Sequence, residues 1–316
     1  MQIGRTAAAS VSLTGCESLD VMGSGAYTTT LTVDAPAKVN LALHITGQRC
    51  DGYHELDSLV VFCTVGDQLK VKPAHGLSLS VAGPFGAVLS SHDDNLVLRA
   101  AHALRHHCFG KDGGSGAVMN LVKNLPVAGG IGGGSADAAA AFRALNALWR
   151  TGASERDLEH IALPLGADVP VCLASIPRRM SGIGEVLAPL PPVPPVPMVL
   201  VNPGVPLPTA KVFQALDVKS NPGLPEPAWG DHDGFLAYLS SCRNDLEAPA
   251  CRLAPVIPEM LSALRSNTGC LLARMSGSGP TVFGLFSSHE KARKAAGTLH
   301  DEMGWWTVAT DLLKTA

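Results

Sequence analysis

Apolar and polar positions alternate from Leu31 onward. Val39, Leu41, Leu43 and Ile45 fall on one face of an extended segment, and Lys38, Asn40 and His44 on the other. Lys38 and Asn40 are therefore expected to point the same way. The turn-rich stretch 47–54, Gly-Gln-Arg-Cys-Asp-Gly-Tyr-His, separates this strand from a second over 55–63 and predicts a hairpin. Weaker strand patterns follow at 68–72 and 77–81. The period then lengthens: Leu96, Ala100, Ala103 and Leu104 recur at helical spacing behind Asp93, Asp94 and Asn95, which supply helix-starting side chains. His102 and His106 stand four apart on this helix. Without an acidic partner at motif spacing they read as surface residues, not metal ligands.

A strand over 116–122 runs into Pro126-Val-Ala-Gly-Gly-Ile-Gly-Gly-Gly-Ser-Ala-Asp137, and a helix over 138–149 follows with Phe142, Leu145, Leu148 and Trp149 on one side. Ser154 with Asp157 caps another helix, which turns Leu158, Ile161 and Ala162 inward and ends at Gly166. The prolines from Pro189 to Pro197 are too frequent for a helix or a central strand and mark an extended boundary. Beyond it the pattern gives a strand at 198–201, helices at 234–239 and 257–266, strands at 270–274 and 281–286, a helix from His289 and a last strand near Trp306. Helices mixed with short strands predict an α+β chain, and 316 residues exceed one typical small domain. The expected domains are 31–190 and 191–316. Residues 1–30, rich in Ser, Thr, Gly and Ala, read as a loose extension, with Met22 as an alternative start.

Composition narrows the function classes. The 24 basic and 27 acidic residues nearly balance, so no general attraction to nucleic acid or to an anionic membrane is expected, and a charged ligand must be caught locally. The eight cysteines show no CxxC and no repeating spacing, which argues against a disulfide framework or a zinc site and fits reduced thiols in the cytoplasm. No run approaches the ~20 apolar residues that cross a bilayer.

Five glycines in the six positions 129–134, between a strand and a helix, free the backbone to aim successive N–H groups at one anion at a helix N-terminus. This predicts a phosphate cradle. Gly129 and Gly134 have the spacing of a Walker loop, but Ser135 and Ala136 follow where Lys and Ser/Thr are required. A dinucleotide fingerprint fails too: starting at Gly130 its sixth position is Ser135, and starting at Gly129 its third is Ile131. The residues alone leave three other positions open. Asp168 is either a catalytic carboxylate or the cap of a helix starting at Val169; Lys38 is either a cleft residue or a solvated strand residue; Ser276-Gly-Ser-Gly279 is either a cleft loop or a plain turn.

Three ordered segments carry a resemblance: Ala35-Pro-Ala-Lys-Val-Asn40, Pro126 to Asp137, and Met275-Ser-Gly-Ser-Gly-Pro-Thr-Val-Phe283. Together they resemble the three motifs of the GHMP kinases. The stretches Thr46 to His54, Asp94-Asn-Leu96, Gly166-Ala-Asp-Val-Pro170 and Arg243-Asn-Asp-Leu-Glu247 are similar to the branch of that family that phosphorylates a cytidine-diphosphate alcohol of the nonmevalonate isoprenoid route. The resemblance covers roughly Asp34 to Leu313.

The resemblance implies an N-terminal domain of ribosomal S5-like fold and a ferredoxin-like C-terminal domain, with ATP, Mg2+ and a small-molecule acceptor meeting between them. It matches Lys38 and Asp168 to the family's catalytic pair. Pro126, Gly129, Gly130, Gly132, Gly133, Gly134 and Ser135 fall in its phosphate loop, and Asn95 and Lys123 lie where the nucleotide approaches. Asn40, Tyr53, His54, Thr209 and Phe213 match the cytidine-diphosphate site, although Tyr53 and Phe213 on sequence alone fit core packing equally. Ala136 and Asp137 stand where Ser and Asn are common, a departure that bears on an auxiliary hydroxyl. Two competing readings share these motifs in part: a GHMP kinase for mevalonate, homoserine or a sugar, and a nucleotide-binding protein without catalysis. The Asp-Gly-Tyr-His segment argues against the first. The presence of both Lys38 and Asp168 argues against the second.

Overall fold

The computed structural model of the chain describes residues 18–21, 27–89, 94–110 and 113–313. Its first layer contains β1 (Ser18–Val21), β2 (Tyr27–Gln48), β3 (His54–Ala74), β4 (Leu77–Ala82), α1 (Leu96–Phe109), β5 (Gly116–Val122) and α2 (Gly133–Trp149). It continues with α3 (Glu155–Ala162), α4 (Val169–Ala174), β6 (Arg178–Gly182) and β7 (Val186–Pro189). The strands form one sheet in the order β1-β2-β3-β5-β4, with β6 on the far edge of β3 and β7 beside β6. Among the strands of the described residues only β4 and β5 pair in parallel, and α1 supplies the crossover that a parallel pair requires.

The second layer holds β8 (Met198–Asn202), α5 (Thr209–Gln214), α6 (His232–Ser241), α7 (Glu247–Leu253), α8 (Val256–Ser266), β9 (Cys270–Met275), β10 (Val282–Phe286), α9 (His289–Met303) and β11 (Trp306–Thr310). Its four antiparallel strands run in the order β11-β8-β10-β9, with helices after β8 and after β10. That is the βαββαβ arrangement of a ferredoxin-like unit. The proline-rich residues 190–197 between the layers carry no helix or strand. No helix among the described residues is long and apolar enough to cross a membrane, and the described cysteines are unpaired.

The core explains the long strands. One cluster gathers Leu69, Val71, Met119 and Leu121 of the first sheet under Leu104, Phe142 and Leu145 of α1 and α2. A second gathers Val39, Leu41, Leu59 and Val61 against Met198, Leu200, Phe283 and Leu285 of the second sheet. A strand whose two faces are both covered must be apolar on both sides, so simple alternation misreads it.

At Leu41 this has a visible consequence. Asn40 pairs with Val60 but Ala42 with Leu59, so Leu41 is the extra residue of a bulge. Its carbonyl, left out of the ladder, accepts from Arg274 Nη1 at 2.7 Å. The bulge reverses the faces beyond it: Val39 and Leu41 join one cluster, Leu43 and Ile45 the other. His44 does not share the face of Lys38 and Asn40 as the alternation predicts; its ring lies between the Pro222 carbonyl and the Arg243 amide.

Other expectations shift as well. The two strand patterns at 55–63 and 68–72 are one continuous β3. The helix expected from Ala138 starts five residues earlier, inside the glycine run. The stretch 1–30 is not wholly a loose extension. Ser18–Val21 pairs with Tyr27–Thr30, because the threonine run 28–30 is β-branched and extends β2 toward the N-terminus. Met22 lies outside the described residues.

Candidate active site

Three segments that the sequence keeps far apart meet at Lys38. Its buried Nζ donates to Asp168 Oδ2 at 2.8 Å and to Asn40 Oδ1 at 3.0 Å. Asn40 passes the network on: Nδ2 donates to Ser58 Oγ at 2.7 Å and its backbone N–H to Ser276 Oγ at 3.1 Å. Ser276 in turn donates to the Gly130 carbonyl at 3.0 Å. Lys38 and Asn40 thus share a face as predicted, upstream of the bulge.

Asp168 precedes α4 but makes no capping hydrogen bond. Pro170 at the second helical position removes one of the amides a capping carboxylate uses. The Asp168 carboxylate turns to Lys38 instead, with its side chain 37% exposed against 4% for Lys38. An ion pair open on one side can receive a third group.

The glycine run opens α2, and its residues have different reasons for being glycine. Gly130 has φ +74°, and a Cβ there would meet the Gly279 carbonyl oxygen at 2.6 Å. At Gly132, with φ +63°, a Cβ would meet the Lys38 stem at 3.0 Å. The run is clasped by the second glycine segment: Thr281 N–H donates to the Gly129 carbonyl and Lys38 N–H to that of Ile131, both at 3.0 Å. Asn244 holds that second segment, Nδ2 donating to the carbonyls of Met275 and Gly277 at 2.8 Å each. Gly133 and Gly134 are left at the helix N-terminus, where unpaired N–H groups and the helix dipole favour an anion.

Lys123 lines the cleft, but its ammonium is already engaged. It leaves the end of β5 and places Nζ between Asp67 Oδ2 and Asp137 Oδ2, the second contact at 2.7 Å, with all three side chains buried. Asp67 Oδ1 also accepts the Asn124 and Leu125 amides at 2.6 and 2.8 Å, which fixes the turn from β5 into the glycine run. Burial works against the Lys123 charge, but Asp137 and Asp67 outweigh it and raise the ammonium's pKa. Asn95 caps α1, its Oδ1 accepting from Val97 N–H at 2.9 Å, while its residue lines the cleft.

The cleft itself encloses about 1270 Å3 and is lined by residues from both layers. In the same cleft, His54 and Phe213 lie with ring centroids 5.2 Å apart and planes inclined by 35°. His54 Nε2 is buried without a partner, and burial, followed by the nearby Lys219 charge, lowers the ring's pKa. Tyr53 is 62% exposed, so it is not a core ring. Phe213 is half-buried and packs against the first cluster's rim. Thr209 Oγ1 lies 2.8 Å from Ser278 Oγ of the second glycine segment.

A family model described as GHMP kinases N terminal domain matches residues 95–175, and one described as GHMP kinases C terminal matches residues 221–304. A Cereibacter sphaeroides (strain ATCC 17025 / ATH 2.4.3) protein named 4-diphosphocytidyl-2-C-methyl-D-erythritol kinase is 54% identical over 278 residues, 86% of this chain and 95% of its own. The chain belongs to the GHMP kinases. It is a small-molecule kinase, and further relatives with the same printed name include that of Paracoccus denitrificans (strain Pd 1222), 52% identical over 88% of this chain and 95% of its own. A crystal structure of 4-(cytidine 5'-diphospho)-2C-methyl-D-erythritol kinase superposes with a TM-score of 0.75 at 35% identity, covering 90% of this chain and all of that one. A homoserine kinase from Cytophaga hutchinsonii, at 19% identity and TM-score 0.67, shares the fold.

The residues matched to the family's catalytic, nucleotide and cytidine-diphosphate positions all line this kinase's cleft. The sequence reading missed Asp67 and Ser58, which position the others without lining the cleft; Asn244, expected as a structural link between the domains, holds the second glycine segment. Asp67 falls between the strand patterns at 55–63 and 68–72, where no local signal flags it.

Proposed function

We propose that this kinase transfers the γ-phosphoryl group of Mg·ATP to the 2-hydroxyl of 4-diphosphocytidyl-2-C-methyl-D-erythritol. The observation that carries the reading is the Lys38–Asp168 pair, set against the glycine run in one cleft that a paired ring site also lines. The glycine run holds the triphosphate by backbone N–H groups of Gly133 to Ser135. Asn95 and Lys123 belong to the nucleotide half, Lys123 from beneath the loop. His54, Phe213 and Tyr53 hold the cytosine and Thr209 the diphosphate side, while Asn40 keeps Lys38 in place. Asp168 orients the acceptor hydroxyl and receives its proton as the new O–P bond forms and the bond to ADP breaks. Lys38 offsets charge on the transferring group.

No group of three or more His, Cys, Asp or Glu able to hold a metal occurs among the described residues. Mg2+ is therefore read as arriving with the triphosphate, since it is commonly held by phosphate oxygens, water and one or two carboxylates. Asp168 fits as that carboxylate, and the ion would supply further charge neutralisation. A cytoplasmic place of work belongs to the same reading, ATP being the donor.

The test is ATP consumption by the purified chain with the cytidine-diphosphate alcohol, mevalonate, homoserine or a sugar as acceptor. Turnover is expected with the first alone. Ready turnover of mevalonate or homoserine, with the cytidine compound ignored, would reject the substrate while leaving the kinase class intact.

A further inference from the structure

Asp137 carries a buried hydrogen-bonding atom that nothing in the protein uses. The residue is 3% exposed; Oδ2 takes Lys123, but Oδ1, shielded from solvent, has no partner. Buried carboxylate oxygens are almost always hydrogen-bonded, so Oδ1 calls for a ligand or a proton. Asp137 is the fifth residue of α2. Helical side chains lean toward the N-terminus, which brings this carboxyl under the first-turn amides and into the wall of the cleft.

The charges around it pose a problem for a bound polyphosphate. Asp67 from β3 and Asp137 from α2 share the single ammonium of Lys123, which follows β5. α1 packs on α2 with the apolar Val97, Ala101 and Leu104. α4 brings the Cys172 thiol, which burial and then Asp168 push up to about 12, so it is neutral. β2 brings Lys38, already paired with Asp168 on the cleft side of the loop. With both carboxylates ionised, one uncompensated negative charge lies directly beneath the loop that is to hold an anion.

We propose that Asp137 is a nucleotide-binding residue that works as the neutral acid: when the polyphosphate binds, Oδ1 takes one proton from solvent and its O–H donates toward the phosphate. Asp67 and Lys123 then remain as a balanced pair, and the orphan acceptor becomes a used donor. Burial pushes the Asp137 carboxyl up to about 7, Lys123 opposing and Asp67 adding to the rise, so the proton is available near neutral pH. The proposal rests on the reading of the glycine run as a phosphate site.

The experiment is calorimetric titration of the full chain with Mg·ADP, whose phosphates are fully ionised above neutrality, from pH 7 to 9. The wild-type Kd should weaken, relative to that of Asp137→Asn, by about tenfold per pH unit above about 7, the variant cancelling any titration elsewhere. Independently of any variant, titrations at pH 8 in two buffers of unlike ionisation enthalpy should reveal uptake of close to one proton per nucleotide bound. Kd values that run parallel for the two proteins, or binding at pH 8 without proton uptake, overturn the proposal. Absence of saturable binding at every pH overturns the phosphate-site reading beneath it as well.

Discussion

The cleft contains two lysine–aspartate assemblies of opposite design. Lys38 and Asp168 form a pair that is sealed on the lysine side and 37% exposed on the carboxylate side. Lys123, Asp67 and Asp137 form a group in which no side chain exceeds 4% exposure. Desolvation costs much of what a buried ion pair gains, so such a group persists only where every partner is present. An open pair has less to lose, and its free side can exchange a hydroxyl or a proton. On the proposed reading, the difference separates a group that reacts from one that shapes the loop on which the reaction depends.

Three substitutions break this contrast in order of expected effect. Lys123→Met leaves two buried carboxylates without a cation and should destabilise the protein by about 3–5 kcal/mol. Denaturant unfolding measures this, and a loss below ~1 kcal/mol would show the assembly to be dispensable. Asp168→Asn should leave unfolding and ADP affinity near wild type but lower kcat by about 10²–10⁴-fold, because shape is kept and the proton acceptor is lost. Near-normal kcat would return Asp168 to a structural role. Lys38→Met should lower kcat by about 10²-fold, through lost charge stabilisation and a less well placed Asp168. Should only the melting temperature move, Lys38 is a structural residue.

The legible parts of the molecule were those with local causes. The capping box of Ser154 and Asp157, the Asn95 cap and the turn chemistry around Gly-Tyr-His are set within a few residues, and they stand where the pattern put them. The glycine run was legible because so many glycines in one turn are unusual, whereas Lys38 and Asp168 were singled out only by the family resemblance. What escaped was non-local. The bulge at Leu41 depends on Arg274, more than two hundred residues away, taking its carbonyl. Asp67 falls in the gap between two predicted strands and shows no role until Lys123, Asn124 and Leu125 are folded onto it. The unpartnered oxygen of Asp137 has no signature in the sequence at all. It arises from the packing of α2 against the end of β5, which leaves Oδ1 at the cleft wall without a protein partner.

The smallest expected effects lie at the acceptor end, where the same contrast between enclosed and open groups recurs. Phe213 is half-buried and stands 5.2 Å from the His54 ring, so its face is fixed before a ligand arrives. Tyr53, 62% exposed on the loop between β2 and β3, keeps much of its surface in water. A base stacked on an aromatic face gains about 1–3 kcal/mol, and a preorganised ring delivers more of it than a mobile one. Phe213→Ala should therefore raise the acceptor KM by about 5- to 150-fold with little change in the KM for ATP. Tyr53→Ala should raise it by less than about tenfold, since ordering an exposed ring costs part of the contact it makes. Steady-state kinetics with both substrates varied separates the outcomes. Equal effects of the two substitutions would mean that exposure does not grade the two rings, and a matching rise in the KM for ATP would move the ring site out of the acceptor half of the cleft.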